Sequence, residues 1–447
     1  MGYVFGGTEP RKFPLATIAI VVINVVVYLI TSSANYLISS SSSYLYKLGF
    51  IPALLPSPEG LARIFTSMFV HANLLHLVFN MYFLYIFGRG VEDVMGSRRF
   101  LVLYLLSGIG ASLFHTAAVP VAGLAAIGIP AVGASGAISG VLGAYLMFFP
   151  GTSLVACFPI FFLPACFTMR ASAYLIFWFA TQVIYGYMNL GGIAFFAHAG
   201  GFIAGIALAW ILGRVKAREL RIFRETLYLF RYIVLRVYVS GLGRAAKILL
   251  IALIALSTAP LIYYSATIEP SSLSVYVGNV GFDGYVDTVL LKVSPYGSYS
   301  YEGYNYDNTN IILYRISKLN LLVNPSLSGR NLSYLDKPLE ATVEIRLEVG
   351  NRYVSEKVPV TLYFEAIYDE NGVIKSAEGV MQTEVVQVSV LLGRTMVSKI
   401  PVTLRFSIAF SDPYTAEAVV IALPPSALIS LVAIYVVARK DTELVIS

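Results

Sequence analysis

Eight runs of this chain are apolar and long enough to cross a lipid bilayer, and no other feature limits its fold as tightly. Such a run needs about 20 mostly apolar residues. Hydrocarbon contains no water to satisfy backbone groups, so only helices and closed barrels span it. The runs are residues 13–30, 67–87, 100–119, 134–149, 171–187, 193–212, 248–266 and 418–438. Composition agrees. Of the 447 residues, 57% are hydrophobic and 13% charged, where soluble domains carry roughly 25% charged residues. A multi-pass α-helical membrane protein is expected. Arg11 and Lys12 precede the first run, which lacks a convincing cleavage site and is expected to remain as a helix. A ninth run, 154–167, is short and interrupted by Pro159 and Pro164. It reads as a loop at the membrane surface.

Lys and Arg favour cytoplasmic flanks. Arg11 and Lys12 place the N-terminus inside. Eight crossings then place Arg89, Arg98, Arg99, the stretch 214–247 and Arg439-Lys440 inside too. The stretch 214–247 holds nine Lys/Arg against two acids, with aliphatic and aromatic residues at helical spacing. Two readings stand for it: a topology signal with helix packing, or an amphipathic helix on the anionic inner leaflet. The net charge of +6 belongs to membrane flanks, so the lipid bilayer is the expected partner and nucleic acid is not.

Composition changes after the seventh run. Residues 269–417 carry 12 Lys/Arg and 17 Asp/Glu, a net of −5 (12 − 17). Apolar and polar residues alternate there with the two-residue period of strands. Residues 349–364 and 392–406 are near repeats, each reading as strand, glycine-containing turn and strand. With strands around 287–293 and 311–323, an all-β, sandwich-like domain of roughly 150 residues is expected. Five tyrosines crowd residues 294–310, a composition that suits a solvated hairpin loop or an adaptable binding surface. Asn331-Leu332-Ser333 matches a glycosylation sequon. Cys157 and Cys166 are the only cysteines. They exclude a disulfide framework in the outer domain, are too sparse for a metal cluster, and read as packing residues. No cofactor or metal is expected.

The expected plan is therefore a membrane core at 1–213, a basic amphipathic linker at 214–247 and a seventh transmembrane helix at 248–266. An extracytoplasmic β domain at 267–417, an eighth helix at 418–438 and a cytoplasmic tail at 439–447 complete it.

The chemistry concentrates in the core. Ser135 sits between Gly133 and Gly136 at the head of an uncharged run. Small residues in transmembrane helices commonly serve close packing, and Gly136, Gly140 and Gly143 fit that role. His198 changes the reading. Ionisable groups at membrane depth are expensive and default to function. Gly201 and Gly205 make a small-xxx-small face on the same helix as His198. Packed on Gly136 and Gly140, that face would let Ser135 and His198 touch, and a neutral imidazole can take a serine proton. His76 and Asn80, four residues apart, share a helix face. They either bond a neighbouring helix or donate to a developing oxyanion beside the Ser135 amide.

These residues resemble a rhomboid intramembrane serine protease. The resemblance rests on His76-x-x-x-Asn80, Gly133-Ala134-Ser135-Gly136 and Ala197-His198-x-x-Gly201-x-x-x-Gly205. Residues 63–71 and Gly88-x-x-x-Glu92-x-x-x-Gly96 support it. It covers a six-helix core, roughly residues 13–214. It implies Ser135 as nucleophile and His198 as general base, with no acidic third member. It also implies an oxyanion hole of His76, Asn80 and the Ser135 amide, and a site opening outward through a water-filled cavity. Two departures stand out. Ser139 replaces an aromatic that often supports the histidine, and Ala62 replaces a tryptophan before Arg63. Glu92 and its arginine neighbours are expected to tie the second and third transmembrane helices together; His71 and His115 are expected to be structural.

The resemblance implies transmembrane proteins as substrates and a prokaryotic plasma membrane as the location, with both termini cytoplasmic. The alternative is a non-proteolytic relative that binds membrane clients, and the intact Ser–His pair weighs against it. A transporter would need paired carboxylates at mid-membrane, where acids are scarce. Substrate identity and oligomeric state are not specified by the sequence.

Overall fold

The computed structural model describes residues 3–6, 13–122, 124–160, 163–188, 194–213, 241–267, 274–294, 298–303, 307–349, 352–391, 394–413 and 417–439. It divides into a helical unit (Met1–Pro270 with Ala416–Ser447) and a strand-rich unit (Ser271–Thr415). Most of the basic linker, 214–240, lies outside the described residues, as do Tyr296, Tyr304 and Tyr306 of the tyrosine-rich loop.

The helical unit contains α1 (Leu15–Ser32), α2 (Ser42–Leu48), α3 (Pro58–Ser67), α4 (Leu74–Met95), α5 (Ser97–Ala117), α6 (Val119–Ala122), α7 (Ser135–Phe148), α8 (Ala171–Tyr187), α9 (Phe195–Gly213) and α10 (Arg244–Thr267). Helix α11 (Asp307–Lys318) belongs to the other unit, and α12 (Glu417–Ala438) returns to this one. Among the described residues six helices are long and apolar enough to cross a membrane: α1, α4, α5, α9, α10 and α12. With α8 (17 residues) and the shorter α7 (14 residues), all eight expected runs are helical. At 1.5 Å per residue α7 measures about 21 Å, less than the ~30 Å of hydrocarbon.

The second run is displaced from its expected bounds of 67–87. Helix α4 begins at Leu74, where the Asn73 side chain accepts a bond from the His76 amide (2.9 Å), and it runs to Met95. Hydropathy ends it early because Glu92 is charged; here it is 3% exposed. Its carboxylate accepts bonds from the Ala16 and Thr17 amides (2.8 Å each), from Thr17 Oγ1 (2.6 Å) and from Ser97 Oγ (2.6 Å). Glu92 thus caps α1, whose first amides have no helical partner. It ties α4 mainly to α1, where a tie between α4 and α5 was expected.

Residues 154–167 are not a loop. Strands β2 (Ser153–Ile160) and β3 (Leu163–Arg170) form a hairpin, and β1 (Tyr3–Gly6) pairs with β2. Pro159 lies opposite Pro164 beside the turn, where a missing N–H is tolerated better than in mid-sheet. The β1–β2 pairing brings the N-terminus to the connection between α7 and α8. Lys247 Nζ donates to the Arg439 carbonyl, which puts the start of α10 beside the end of α12.

Helices α10 and α12 are built into the bundle. Helix α12 packs on α5 and α9, and α10 packs on α12 and α8. Pro260, inside α10, has no N–H for the Leu256 carbonyl four residues earlier. The Tyr187 hydroxyl, at the end of α8, donates to that carbonyl instead (2.8 Å).

Among the described residues the strands of the second unit form one antiparallel sheet, where a sandwich was expected. Its strands are β4 (Ser274–Phe282), β5 (Tyr285–Val293), β6 (Tyr299–Gly303), β7 (Asn331–Ser333), β8 (Leu339–Val349), β9 (Arg352–Tyr368), β10 (Ile374–Leu391) and β11 (Arg394–Phe410). Their order is β6-β5-β4-β11-β10-β9-β7, with β8 also paired to β9. Each repeat copy is a hairpin, closing at Val349↔Arg352 and Leu391↔Arg394. Residues 307–318, which overlap the strand expected at 311–323, are α11. Thr309, Ile312, Leu313 and Ile316 are buried, the i, i+3, i+4, i+7 spacing of a helix. The consecutive isoleucines suggest a strand locally. Helix α11 packs on β4 and β11, covering a sheet face that would otherwise need a second sheet.

Candidate active site

Helix α7 lies at the centre of the helical unit, with every residue from Ala137 to Leu146 buried. It meets α9 through glycines. A Cβ on Gly201 would fall 2.0 Å from the Gly136 carbonyl oxygen, and one on Gly205 would fall 1.9 Å from that of Gly140. Gly140 also abuts Ser107 of α5, whose Oγ would be 2.0 Å from an added Cβ. Only hydrogen-sized side chains allow this approach, and in lipid such close backbone packing is a main source of helix association.

The approach brings the first residue of α7 to the first turn of α9. Ser135 Oγ and His198 Nε2 are 2.8 Å apart, within hydrogen-bond distance across 63 residues of sequence. Both side chains are half-buried. As the opening residue of a helix, Ser135 has an N–H without an intrahelical partner. Gly133, two residues earlier, has φ of +116°, a conformation L side chains rarely adopt. A Cβ there would also lie 2.7 Å from His76 Nε2 and 3.8 Å from Ser135 Oγ. The His76 imidazole and the Ser135 hydroxyl therefore both lie close to the space that a side chain at position 133 would occupy. Asn80 lies one turn along α4, 7% exposed, and its amide donates to the His76 carbonyl (2.8 Å).

The loop before Ser135 is held from the end of α3 and from the α3–α4 connection. The Gly133 amide donates to the Ser67 carbonyl (2.9 Å). The Ala134 amide points to His71 Nε2 (3.4 Å). The His71 ring stands edge-on to His76 at 5.0 Å. A cavity of about 40 Å³ reaches Ser135 and is lined among others by Ser67, Ser112, His115 and Ala197. That is room for about one or two water molecules.

Two of these neighbours carry no sequence motif. Gln182 Oε1 is 2.9 Å from His198 Nδ1, the imidazole nitrogen away from Ser135. Trp178, four residues earlier on α8, lies beside the imidazole with ring centroids 6.3 Å apart and planes 30° apart. His71 braces the loop. The available signal for Gln182 is a lone amide in an apolar run, since polar side chains inside a bundle bond across helices. Ser139, at the position of the missing aromatic, donates to the Ser135 carbonyl (2.6 Å) within its own helix. Arg63, beside Ala62, is 6% exposed and bonds Glu59 Oε1 (2.6 Å) and the Tyr46 carbonyl, so it ties α3 to the end of α2.

Residues 58–215 match the Rhomboid domain. Over 153 residues the chain is 33% identical to RHOMBOID-like protein 6, mitochondrial, of Arabidopsis thaliana, a match covering 34% of this chain and 43% of that protein. It is 31% identical over 158 residues to Rhomboid protein 1, mitochondrial, of Saccharomyces cerevisiae (34% and 42%). It is 30% identical over 190 residues to Rhomboid-like protease 3 of Toxoplasma gondii (42% and 66%). The chain spans less than half the length of the first two. His76, Asn80, Ser135 and His198 all lie inside the matched domain, and the strand-rich unit lies wholly outside it. Through this multi-pass helical core, the chain belongs to the rhomboid family of integral membrane proteins.

Proposed function

We propose that the chain is a serine endopeptidase that hydrolyses peptide bonds in or near transmembrane segments of other membrane proteins. The observation that carries this reading is the 2.8 Å contact between Ser135 Oγ and His198 Nε2. In the proposed reaction, Oγ attacks the scissile carbonyl carbon as Nε2 takes its proton. The tetrahedral oxyanion accepts bonds from the Ser135 amide, His76 and Asn80. Collapse breaks the C–N bond, and His198 returns the proton to the departing amine. A water molecule from the cavity then repeats the cycle on the acyl ester, releasing Ser135. Family members named as proteases support the activity class. The Lys/Arg distribution supports cytoplasmic termini, an outward-facing site and an extracytoplasmic strand-rich unit.

A fluorophosphonate probe tests the nucleophile. Labelling is expected at Ser135 alone, weakening as pH falls and His198 becomes protonated and unable to act as base. An adduct mapped to Ser139, or equal labelling of the Ser135→Ala protein, would sink the assignment. A protein that binds clients without cleaving them has no use for an activated serine and would not label.

His76→Ala and Asn80→Ala are each expected to slow turnover by about 10²–10³-fold, the effect of losing one oxyanion donor. Wild-type turnover in the double variant would make the pair packing residues. The single variants should still label, because the nucleophile and base are untouched.

A further inference from the structure

We propose that Gln182 is a neutral positioning residue for His198: it accepts a hydrogen bond from Nδ1–H and so keeps Nε2 free to take the Ser135 proton. This rests on the protease reading above. Neutral imidazole carries one N–H, on either nitrogen, and the partner of one nitrogen sets the state of the other. Both nitrogens are engaged here, Nε2 by Ser135 at 2.8 Å and Nδ1 by Gln182 Oε1 at 2.9 Å.

The amide orientation decides the tautomer. The Gln182 NH₂ group faces the Thr181 hydroxyl (3.2 Å) and the Trp178 carbonyl (3.4 Å). Thr181 already donates to the Trp178 carbonyl (2.6 Å), so its oxygen is left to accept. The NH₂ side of Gln182 therefore has two acceptors, and its carbonyl oxygen is turned to His198. A carbonyl oxygen only accepts. Nδ1 must donate, and Nε2 presents its lone pair to Ser135. Gln182 is 7% exposed, and its i−4 neighbour Trp178 walls the same imidazole. One face of α8 thus supplies both the bond and the wall. Ser139 is committed to its own helix.

An amide suits membrane depth better than a carboxylate. A carboxylate would fix the same tautomer but would place a charge in a low-dielectric site. It would also stabilise imidazolium and raise the pH at which His198 protonates.

The test uses full-length protein in liposomes with a transmembrane substrate, and kcat and KM measured from about pH 5 to about pH 9. Gln182→Met keeps the bulk and loses the acceptor. It is expected to lower kcat by about 10–100-fold with little change in KM, since misplacing the base costs rate and not binding. Gln182→Glu restores an acceptor. It is expected to recover most of kcat at alkaline pH, with the acid limb of the profile shifted upward by about one pH unit. Wild-type kcat in Gln182→Met, or a Gln182→Glu profile with no shift, would overturn the proposal. A folded Gln182→Glu protein no more active than Gln182→Met would overturn it too. A second measurement needs no change at position 182. Histidine ¹⁵N spectra of the wild-type protein, with His198 assigned by difference from His198→Gln, should show protonated Nδ1 and unprotonated Nε2 at neutral pH. The opposite tautomer would refute the proposal. If the wild-type protein neither cleaves nor labels, the protease reading fails, and the ring tautomer still decides whether Gln182 sets the state of His198.

Discussion

The Ser135→Ala protein, reconstituted with a transmembrane substrate, is expected to lose at least about 10⁴-fold in turnover. Removing the nucleophile of a serine protease has effects of that size or larger. His198→Ala should fall as far, and the double variant little further, because the two residues act as one unit and their losses do not add. Folding should be nearly untouched. Ser135 is half-buried, and losing its hydroxyl removes one hydrogen bond, worth about 1 kcal/mol. Thermal unfolding in detergent, run beside the cleavage assay, separates the two effects. Substantial cleavage by purified, folded Ser135→Ala protein would end the serine mechanism. A double variant much worse than either single one would mean that Ser135 and His198 act independently.

The second large effect is expected at Gly205. A methyl group there would lie 1.9 Å from the Gly140 carbonyl oxygen and 2.5 Å from the Gly140 Cα. Both contacts are to backbone, so no side chain can turn aside. Helices α7 and α9 must move apart. Overpacking of this kind costs about 1–3 kcal/mol, and displacement of reacting groups by about 1 Å costs about 10²-fold in rate. Gly205→Ala should therefore lower both thermal stability and turnover, and Gly205→Leu should do so more severely. Gly243→Ala is the control, because nothing lies within 4 Å of its added Cβ. Equal behaviour of Gly205→Ala and Gly243→Ala, with wild-type activity in both, would show that the α7–α9 contact is not what holds the site together.

The residues of the candidate site were legible because each breaks a local rule. A serine between glycines, a histidine in an apolar run and a His–Asn pair one turn apart are all conspicuous against hydrocarbon-facing sequence. Gln182 breaks the same rule less strongly, being uncharged, and no local pattern points from α8 to α9. His71 was visible, but its bracing of the loop before Ser135 depends on α4 starting at Leu74. That start is set by the Asn73 cap and not by hydropathy.

In the strand-rich unit, period-two alternation and the repeat placed both long hairpins. It did not place the sheet. Alternation marks one buried face, and either a second sheet or a helix can cover that face. The covering element, α11, spans residues whose β-branched content suggests a strand locally, while its burial pattern follows the helical period. The hairpin β2–β3 was missed for a related reason. Its prolines break a helix but are tolerated beside a strand turn.

By itself the sequence determined that this chain lives in a membrane, which runs form its helices, and which few polar side chains have no place there without a task. Those are consequences of solvent: lipid excludes charge and unpaired backbone, and every residue along a run reports on that exclusion. Only the tertiary structure decided which polar groups meet. The 2.8 Å between Ser135 and His198, the amide of Gln182 behind the ring and the capping of α1 by Glu92 join residues far apart in sequence. Such contacts require helix-to-helix distances set to within about an ångström, close approaches that glycine positions permit and the packing of the whole bundle sets.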